Sequence, residues 1–319
     1  MLLKPPVTQD HFVMGLGPAA ARRLFKQYVT YVNVETFSYC NRKCWFCANS
    51  FLDRHSANQI MEDAFLGMIV RDLAEIDFDG TVNLNGYNEP LADDIIFEHI
   101  HAVRTKVPRA RISIFSSGDF LTRERLERLH EVGLNELRLS IHTGNNEDLN
   151  DAKVEKRIQH YEEKLGLDVR MQKSERGVRY KGQIDFRDMF IRLYEPNMRT
   201  LGSDMGGLIE GVETKHRRVC PCLEPAVHLT VEFDGSVVPC CRIRTDAPQH
   251  KDLAICSLRD VSSIFEAYVH PKAVAWRRSL STFGEKQSPC ATCDNALIKD
   301  TVVTRAKFHR VERMLKASA

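Results

Sequence analysis

The chain has 319 residues, of which 43% are hydrophobic and 28% are charged, a balance that is typical of folded proteins and excludes wholesale disorder. Its 45 basic and 43 acidic side chains leave a net charge of +2, which gives no electrostatic case for a nucleic-acid partner. No apolar run is long enough for a membrane span, and the start, MLLKPPVTQD, lacks the features of a secretory signal. We therefore expect a cytoplasmic protein with neither nucleic acid nor membrane as partner.

The first half of the chain alternates predicted strands and helices. Strands are predicted at 30–37, 81–85, 111–115 and 136–141, and helices at 60–76, at 93–106 and between Thr122 and Gly133. Each of the last three strands runs into a polar or glycine-containing turn. Such a repeat predicts an α/β fold with a parallel sheet and a site at the carboxyl ends of its strands. Residues 144–185 are highly charged, with a helix near 153–165 and a strand near 167–172 predicted there.

The pattern changes after about residue 210. The run VHLTVEF, the pair Asp234-Gly235 and the run SVVP predict a β-hairpin. A basic amphipathic helix is predicted over 296–316. These changes divide the chain into an N-terminal extension (1–28), a main α/β region (29–210) and a smaller C-terminal region (211–319).

The ten cysteines fall into two groups. Three lie at 40–47, and seven follow residue 219. A long chain without an export signal is expected to keep its thiols reduced, so this distribution indicates metal or redox chemistry and not a disulfide framework. Two separate metal-binding sites are the simplest interpretation.

The first group, Cys40-x-x-x-Cys44-x-x-Cys47, supplies three thiolates and no evident fourth ligand nearby. A cubane iron–sulfur cluster is normally held by four cysteines, so three would leave one iron open to a substrate or cosubstrate. A zinc knuckle with a remote fourth ligand and chance clustering are the alternatives.

The second group combines the hairpin with a Cys-x-x-Cys loop. Either a zinc ion or a complete cubane fits its four candidate ligands, Cys222, Cys240, Cys290 and Cys293. Cys220 is an alternative to Cys222, and Cys241 is an alternative to Cys240.

The first cysteine motif, with Phe46 before its last cysteine and a strand before its first, resembles that of the radical S-adenosylmethionine (radical SAM) enzymes. Three turns that follow predicted strands are similar to the SAM-binding turns of this family: GYNEP (86–90), SSG (116–118) and the strand end SIH (140–142). The resemblance implies a partial (β/α)6 TIM-like barrel over 29–210, in which the cysteine trio holds a SAM-binding [4Fe–4S] cluster. It also implies that SAM is bound by Phe46, Gly86, Asn88, Glu89, Ser116, Ser117, Ser140 and His142.

The C-terminal region resembles the twitch domain of the SPASM/twitch subgroup, an α+β unit with a β-hairpin. This resemblance implies one auxiliary [4Fe–4S] cluster, held by the four candidate ligands of the second group. A reductant such as flavodoxin or ferredoxin is implied as a partner.

In this family, reductive cleavage of SAM yields a 5′-deoxyadenosyl radical, which abstracts a hydrogen atom from an unactivated C–H bond. Short segments, among them CNRKCWFCANS, NEPL and SGDFLT, are similar to a member that oxidises a secondary alcohol of an aminocyclitol. The resemblance predicts an oxidoreductase that dehydrogenates or epimerises a small molecule of the amino-sugar or aminocyclitol type. Met205 stands where that member has an arginine proposed as proton acceptor, so the substrate or the outcome is expected to differ.

Five further residues are candidates for direct roles in catalysis or substrate binding. Cys241 and Cys256 are candidate hydrogen-atom donors, with a small buried side chain as the alternative role. Glu35 is a candidate substrate-binding acid or else a paired or solvated carboxylate. Tyr87 is expected near substrate, and Arg242 near a polar or anionic group.

Two other functions stay open at this point. A radical SAM enzyme of this subgroup could epimerise, oxidise or crosslink a ribosomal peptide, which would then be its substrate partner. A zinc-stabilised, non-catalytic binding module is the alternative from another class of protein.

Overall fold

The structure is a computed structural model that describes residues 7–212 and 217–317. Within these residues one ten-stranded sheet forms the centre of the fold. Its strands, in chain order, are β1 (Tyr31–Val34), β2 (Thr81–Asn83), β3 (Arg111–Ser116), β4 (Glu136–Ser140), β5 (Val169–Glu175), β6 (Arg179–Phe186), β7 (Met189–Pro196), β8 (His228–Val231), β9 (Ser236–Val238) and β10 (Cys256–Ser257).

The helices flank this sheet. They are α1 (Pro18–Tyr28), α2 (Asp63–Glu75), α3 (Ile95–Lys106), α4 (Arg123–Glu131), α5 (Asp151–Leu165), α6 (Met198–Leu201), α7 (Glu224–Val227), α8 (Ile264–Tyr268), α9 (Pro271–Leu280) and α10 (Val302–Ala317). No helix in the described residues is both long and apolar enough to cross a membrane.

The spatial order of the strands is β10-β9-β8-β1-β2-β3-β4-β7-β6-β5. The six central strands, from β8 to β7, run parallel, and the strands outside them run antiparallel. Because the carboxyl ends of parallel strands lie at one edge, the turns after β1, β2, β3 and β4 meet there. The structure confirms the predicted α/β class with its mainly parallel sheet.

Local sequence accounts for the predicted helices. In α2 the buried residues Phe65, Ile69 and Leu73 form one stripe and pack in the main core. The Thr122 side chain accepts a hydrogen bond from the Arg125 N–H and caps α4. Helix α5 ends at Gly166, whose left-handed φ of 61° suits a residue without a Cβ.

The hairpin of β6 and β7 was not among the predicted elements. These strands are joined by Arg187 and Asp188, and Arg187 adopts a left-handed φ of 53°. The turn therefore lacks the glycine that would have marked a two-residue hairpin in the sequence. In β7 buried and exposed residues alternate, as expected for a sheet with one open face.

The predicted hairpin of the C-terminal region is present as β8 and β9. Strand β8 also pairs in parallel with β1, from Tyr31 opposite His228 to Val34 opposite Val231. The sheet thus runs across the boundary predicted near residue 210. This pairing brings the segment after β9 against the concave face of the parallel strands.

Candidate active site

The first cysteine motif and the three polar turns converge at the carboxyl edge of the sheet. They enclose a cavity of about 170 Å³, here called the thiol cavity. Its lining includes every residue predicted to hold the SAM-binding cluster or SAM: Cys40, Cys44, Cys47, Phe46, Gly86, Asn88, Glu89, Ser116, Ser117, Ser140 and His142. These residues are spread over about a hundred positions of the sequence, from Cys40 to His142, and the parallel strands bring them together.

Glu89 fixes two of the turns relative to each other. Its buried carboxylate accepts hydrogen bonds from Ser116 Oγ at 2.6 Å, from Ser117 N–H at 2.7 Å and from Leu91 N–H at 3.1 Å. Burial raises its pKa, and these hydrogen bonds oppose the rise. Glu89 therefore shapes the thiol cavity by joining the turn after β2 to the turn after β3.

Two amide side chains leave polar atoms available in the thiol cavity. Asn88 Oδ1 accepts a hydrogen bond from Gly86 N–H at 3.0 Å, whereas its Nδ2 is buried without a partner. Asn49 Nδ2 donates to the Tyr87 carbonyl at 2.8 Å, whereas its Oδ1 is buried without a partner. An unsatisfied buried polar atom costs about 1–3 kcal/mol, so this pair of one donor and one acceptor fits a polar cofactor such as SAM.

The three thiols of the cavity are protonated when no metal is bound. Burial raises the pKa of Cys40 and Cys47 to about 11 and that of Cys44 to about 12. Thiolates are the form that ligates iron, so loading of a cluster must displace these protons. A cavity lined by three such thiols fits a cubane that has one iron without a protein ligand.

Arg42 and His142 close one side of the thiol cavity. Arg42 pairs with Asp119 at 2.6 Å and donates a hydrogen bond to the His142 carbonyl at 3.2 Å. His142 pairs with Glu195 at 2.9 Å, and its ring lies 4.8 Å from that of Phe46. Four lining residues are not among the predicted ones, namely Arg42, Asn49, Asn85 and Phe115. Of these, Arg42 lies inside the cysteine motif and Asn49 lies two residues after it, so their nearness to the motif is the signal that could have identified them.

A larger cavity of about 560 Å³, here called the interior cavity, occupies the concave face of the parallel strands. Alternate residues of two adjacent strands and the turns that follow them line it, as the period of two predicts: Tyr31, Asn33 and Glu35, and His228, Thr230 and Glu232. The interior cavity shares four residues with the thiol cavity, namely Asn85, Gly86, Tyr87 and Phe115. A molecule in the interior cavity is therefore adjacent to a cofactor in the thiol cavity.

Glu35 is a paired carboxylate that holds the turn after β2. Its Oε1 accepts hydrogen bonds from Tyr87 N–H at 2.7 Å and Asn88 N–H at 3.1 Å, and lies 3.3 Å from an Arg54 nitrogen. Burial raises its pKa, and the charge of Arg54 opposes the rise. A Cβ on Gly86 would stand 2.9 Å from the Glu35 Cβ, so this approach requires glycine.

Tyr87 connects the thiol cavity with the segment after β9. Its hydroxyl donates a hydrogen bond to the Cys241 carbonyl at 2.8 Å, and its ring lies 3.9 Å from the Arg244 guanidinium carbon. Cys241, Arg242 and Met205 also line the interior cavity. Four of the five candidates for direct roles thus share the interior cavity, and the fifth, Cys256, lines neither this cavity nor the thiol cavity.

The four cysteines predicted to hold an auxiliary cluster also share a cavity. This knuckle cavity, of about 20 Å³, is lined by Cys222, Cys240, Cys290 and Cys293 and not by the alternatives Cys220 and Cys241. Arg242, Glu224, Ile243 and Asn295 line both the knuckle cavity and the interior cavity. In the described residues no three Cys, His, Asp or Glu side chains converge on a single metal ion.

A buried arginine organises the loops of the knuckle cavity. Arg218 is 1% exposed, and its guanidinium donates hydrogen bonds to the carbonyls of Asn295 at 2.6 Å and Pro221 at 2.9 Å. It thereby joins the loop before Cys222 to the loop after Cys293. Arg218 is not among the predicted site residues, because its partner Asn295 lies 77 positions away and the contact leaves no local motif.

Comparison with known proteins identifies the class. Residues 34–166 match the family model of the radical SAM superfamily and form a radical SAM domain. The chain is 25% identical over 269 residues to the S-adenosyl-L-methionine-dependent 2-deoxy-scyllo-inosamine dehydrogenase of Niallia circulans, which covers 84% of this chain and 94% of that protein. This confirms the resemblance to radical SAM enzymes on which the predicted [4Fe–4S] cluster and SAM rest.

Solved structures confirm the fold. The crystal structure of BtrN in complex with AdoMet and 2-DOIA matches with a TM-score of 0.59 and 21% identity, over 85% of this chain and 95% of that one. The structure of SeMet BtrN in an open conformation matches with a TM-score of 0.56 and 21% identity, over 86% of this chain and 98% of that one. The auxiliary cluster and the individual site residues stay predictions for this chain.

Proposed function

We propose that this protein is a radical SAM oxidoreductase that dehydrogenates an amine-bearing small molecule of the aminocyclitol or amino-sugar type. The observation that carries the proposal is the adjacency of the thiol cavity to an interior cavity lined by carboxylates. The name of the Niallia circulans relative, an inosamine dehydrogenase, agrees with such a substrate. A flavodoxin or ferredoxin in the cytoplasm is the reductant that we propose.

In the thiol cavity, Cys40, Cys44 and Cys47 would hold the [4Fe–4S] cluster, and the available amide atoms of Asn49 and Asn88 would hydrogen-bond to SAM. When bound, the cluster and SAM supply the radical that takes a hydrogen atom from the substrate. The chain's own contribution is to position the substrate carbon beside the four residues shared by the two cavities. Tyr87 and the segment after β9 line that position.

The carboxylates of the interior cavity provide recognition of an amine. Glu35 is paired with Arg54, and Glu224 is paired with His228 at 2.6 Å. Glu232 is buried and accepts hydrogen bonds from Thr245, but none of the described basic side chains forms an ion pair with it. We therefore assign Glu232 as the partner of the substrate ammonium group.

The knuckle cavity supports an auxiliary cluster as acceptor of the second electron. Its four thiols line one space, and four of its lining residues, Arg242 among them, also face the interior cavity. An alcohol that loses one hydrogen atom, one proton and one further electron becomes a ketone, so an electron acceptor beside the substrate favours dehydrogenation.

Epimerisation is the second candidate outcome, and the position of Cys241 favours it. Cys241 lines the interior cavity, where its thiol would give a hydrogen atom to the substrate radical. The thiyl radical that remains would be returned to the thiol by one electron from the proposed flavodoxin or ferredoxin and one proton. Cys256 pairs with Val237 in the sheet and packs against the main core, away from that cavity. Of the two predicted donors, we therefore retain Cys241 alone.

Anaerobic turnover tests the proposed function. Reduced protein with SAM and an aminocyclitol is expected to form 5′-deoxyadenosine, and single replacement of Cys40, Cys44 or Cys47 by alanine is expected to abolish it. Cys256→Ala is the matched control and is expected to retain activity. Unchanged cleavage of SAM in a variant in which Cys40, Cys44 and Cys47 are all replaced by alanine would contradict the proposal.

The product distinguishes the two outcomes. Dehydrogenation gives a ketone without solvent deuterium, whereas epimerisation in D₂O places deuterium on carbon. If Cys241→Ala left epimerisation intact, the assignment of Cys241 as hydrogen donor would be wrong.

A further inference from the structure

Three arginines surround one buried carboxylate on the concave face of the sheet. Glu136, at the start of β4, is 3% exposed and pairs with Arg111 at 3.0 Å, Arg138 at 2.7 Å and Arg192 at 3.3 Å. The arginines come from the neighbouring strands β3, β4 and β7, and we call this group the arginine cluster. Although burial opposes it, hydrogen bonding and the arginine charges lower the pKa of Glu136, so the cluster carries a net charge of +2 at neutral pH.

Some guanidinium donors of the arginine cluster are available to a ligand. Arg138 and Arg192 contact Glu136 through Nε, and the structure shows no hydrogen bond from their terminal Nη groups to another described residue. Their side chains are 40% and 54% exposed. The ring of Phe115 lies 4.7 Å from the Arg138 guanidinium carbon and holds that side chain in place. The terminal Nη groups of Arg138 and Arg192 are therefore exposed to solvent on one side of the arginine cluster, while their Nε atoms contact Glu136.

The arginine cluster lies beside the proposed reaction site. Arg138 lines the interior cavity, and Ser140, two residues further along β4, lines the thiol cavity. Two residues of a strand span about 7 Å, which is the width of a sugar ring with one substituent. A group bound by Arg138 is therefore within reach of a carbon beside the SAM site.

The interior cavity has carboxyl groups at one side and guanidinium groups at the other. Glu232 and Glu35 follow β8 and β1 on one side, and the arginine cluster lies on β3, β4 and β7 on the other. A substrate with an amine alone would leave the arginine side without a partner. A substrate with a cationic group at one end and an anionic group at the other complements both.

We propose that the substrate carries a phosphoryl group, which is bound opposite Glu232 by Arg138, a lining residue of the interior cavity, together with Arg192, its neighbour on β7 in the arginine cluster. This inference rests on the proposed function, because it names a second group on the same substrate. Phosphate oxygens accept parallel hydrogen bonds from guanidinium forks, and two forks at one place match a dianion better than a single carboxylate.

Two kinds of substrate supply such a group. One is a simple phosphate ester of an amino sugar or aminocyclitol, and the other is a nucleoside diphosphate sugar. On β7, Phe190 and Tyr194 flank Arg192 on the same face and are 46% and 42% exposed. These rings offer a nucleobase a stacking surface, so they separate the two sources experimentally.

Calorimetric titration of the cluster-loaded protein with inorganic pyrophosphate tests the site without turnover. Arg138→Gln and Arg192→Gln are each expected to weaken binding about tenfold, because each removes a charge-assisted pair of hydrogen bonds. Arg170→Gln is the control, since Arg170 is an exposed arginine of the same sheet that pairs with Asp185 at 2.9 Å. This variant has the same net charge and is expected to bind as the wild type does.

Two further measurements keep the test decisive. Arg138→Lys retains the charge without the fork, and intermediate binding is expected while SAM binding stays unchanged as a check on folding. Absence of pyrophosphate binding, or equal binding by all variants, would overturn the arginine site. Because pyrophosphate binding needs no catalysis, failure of the proposed function shows separately, as an absence of 5′-deoxyadenosine.

A nucleoside diphosphate identifies the source of the phosphoryl group. Tighter binding than pyrophosphate, lost in Tyr194→Ala, would support a nucleotide-linked sugar. Equal binding that is insensitive to Tyr194→Ala would support a simple phosphate ester.

Discussion

Two glutamates at neighbouring positions of the interior cavity have different roles because their partners differ. Glu35 is occupied by Arg54 and by two backbone N–H groups of the turn after β2, so it is a positioning residue. Glu232 has Thr245 as its hydrogen-bond partner. Burial raises the pKa of Glu232 to about 8, against the hydrogen bonds from Thr245 and with the help of the Glu35 charge. A carboxyl with this pKa is largely protonated at pH 7.

Binding of an ammonium group to Glu232 is therefore expected to release a proton at pH 7. Since the cation favours the carboxylate form, affinity is expected to rise as pH increases from 6.5 towards 8. Calorimetry of an aminocyclitol in buffers of different ionisation enthalpy measures the proton release. Glu232→Gln is expected to abolish the release and to weaken binding about tenfold or more. A proton stoichiometry unchanged by this substitution would exclude Glu232 as the partner of the amine.

At the scale of elements, the C-terminal loops depend on one buried cation. Arg218 joins loops separated by about seventy residues through main-chain carbonyls, and it lines the knuckle cavity. The loops supply the four predicted cluster ligands but contribute little regular structure of their own. We therefore expect their arrangement to depend on these hydrogen bonds and on the proposed auxiliary cluster.

Arg218→Met is expected to lower the free energy of unfolding by about 3 kcal/mol, because it leaves buried carbonyls without donors. It is also expected to lower the iron content from about eight to about four atoms per chain, if both metal-binding sites hold cubane clusters. Iron analysis and urea denaturation measure these effects. The adjacent Arg217→Met is the control, since Arg217 is exposed. Full iron content in Arg218→Met would show that the loops hold their cluster without this residue.

The elements that local sequence specifies were predictable, and those that depend on distant pairing were not. Periodicity, the Thr122 cap and polar turns are local signals, and they gave β1 to β4 and α2 to α5. The spacing of Cys40, Cys44 and Cys47 likewise predicts a metal-binding site without any knowledge of the fold. By contrast, the position of β8 beside β1, the role of Arg218 and the arginine cluster arise from residues far apart in the chain. No spacing in the sequence records such contacts.

At the scale of the whole molecule, the sheet unites the N-terminal and C-terminal regions. Four residues of β8 pair with β1, which forms one side of the interior cavity, and β9 and β10 extend the sheet beyond β8. Buried residues of the C-terminal region, such as Val231 and Phe265, belong to the same core cluster as Val34 and Leu73. The region after residue 210 is therefore part of the main core and not only an appendage.

A fragment that ends at residue 210 is expected to fail to fold, because it exposes the edge of β1 and removes part of the core. Near-ultraviolet circular dichroism and size-exclusion chromatography measure this. A chain that ends at residue 299 is the control. It lacks α10, whose buried residues Phe308 and Val311 belong to a separate small cluster, and it is expected to fold. A monomeric fragment 1–210 with a native-like spectrum would contradict this expectation.

The segment that follows β9 touches every part of the site within a few residues. Cys240 faces the knuckle cavity, the Cys241 carbonyl holds Tyr87, and Thr245 and Asp246 contact Glu232 and Arg54. During maturation in the cell, a chain that holds the SAM-binding cluster but not yet the proposed auxiliary cluster would fix this segment less firmly. The turn after β2, which contacts the segment through Tyr87, would then also be less firmly held. We therefore expect chains without the auxiliary cluster to cleave little SAM. The order in which the two clusters are inserted would then limit radical formation in incomplete enzyme.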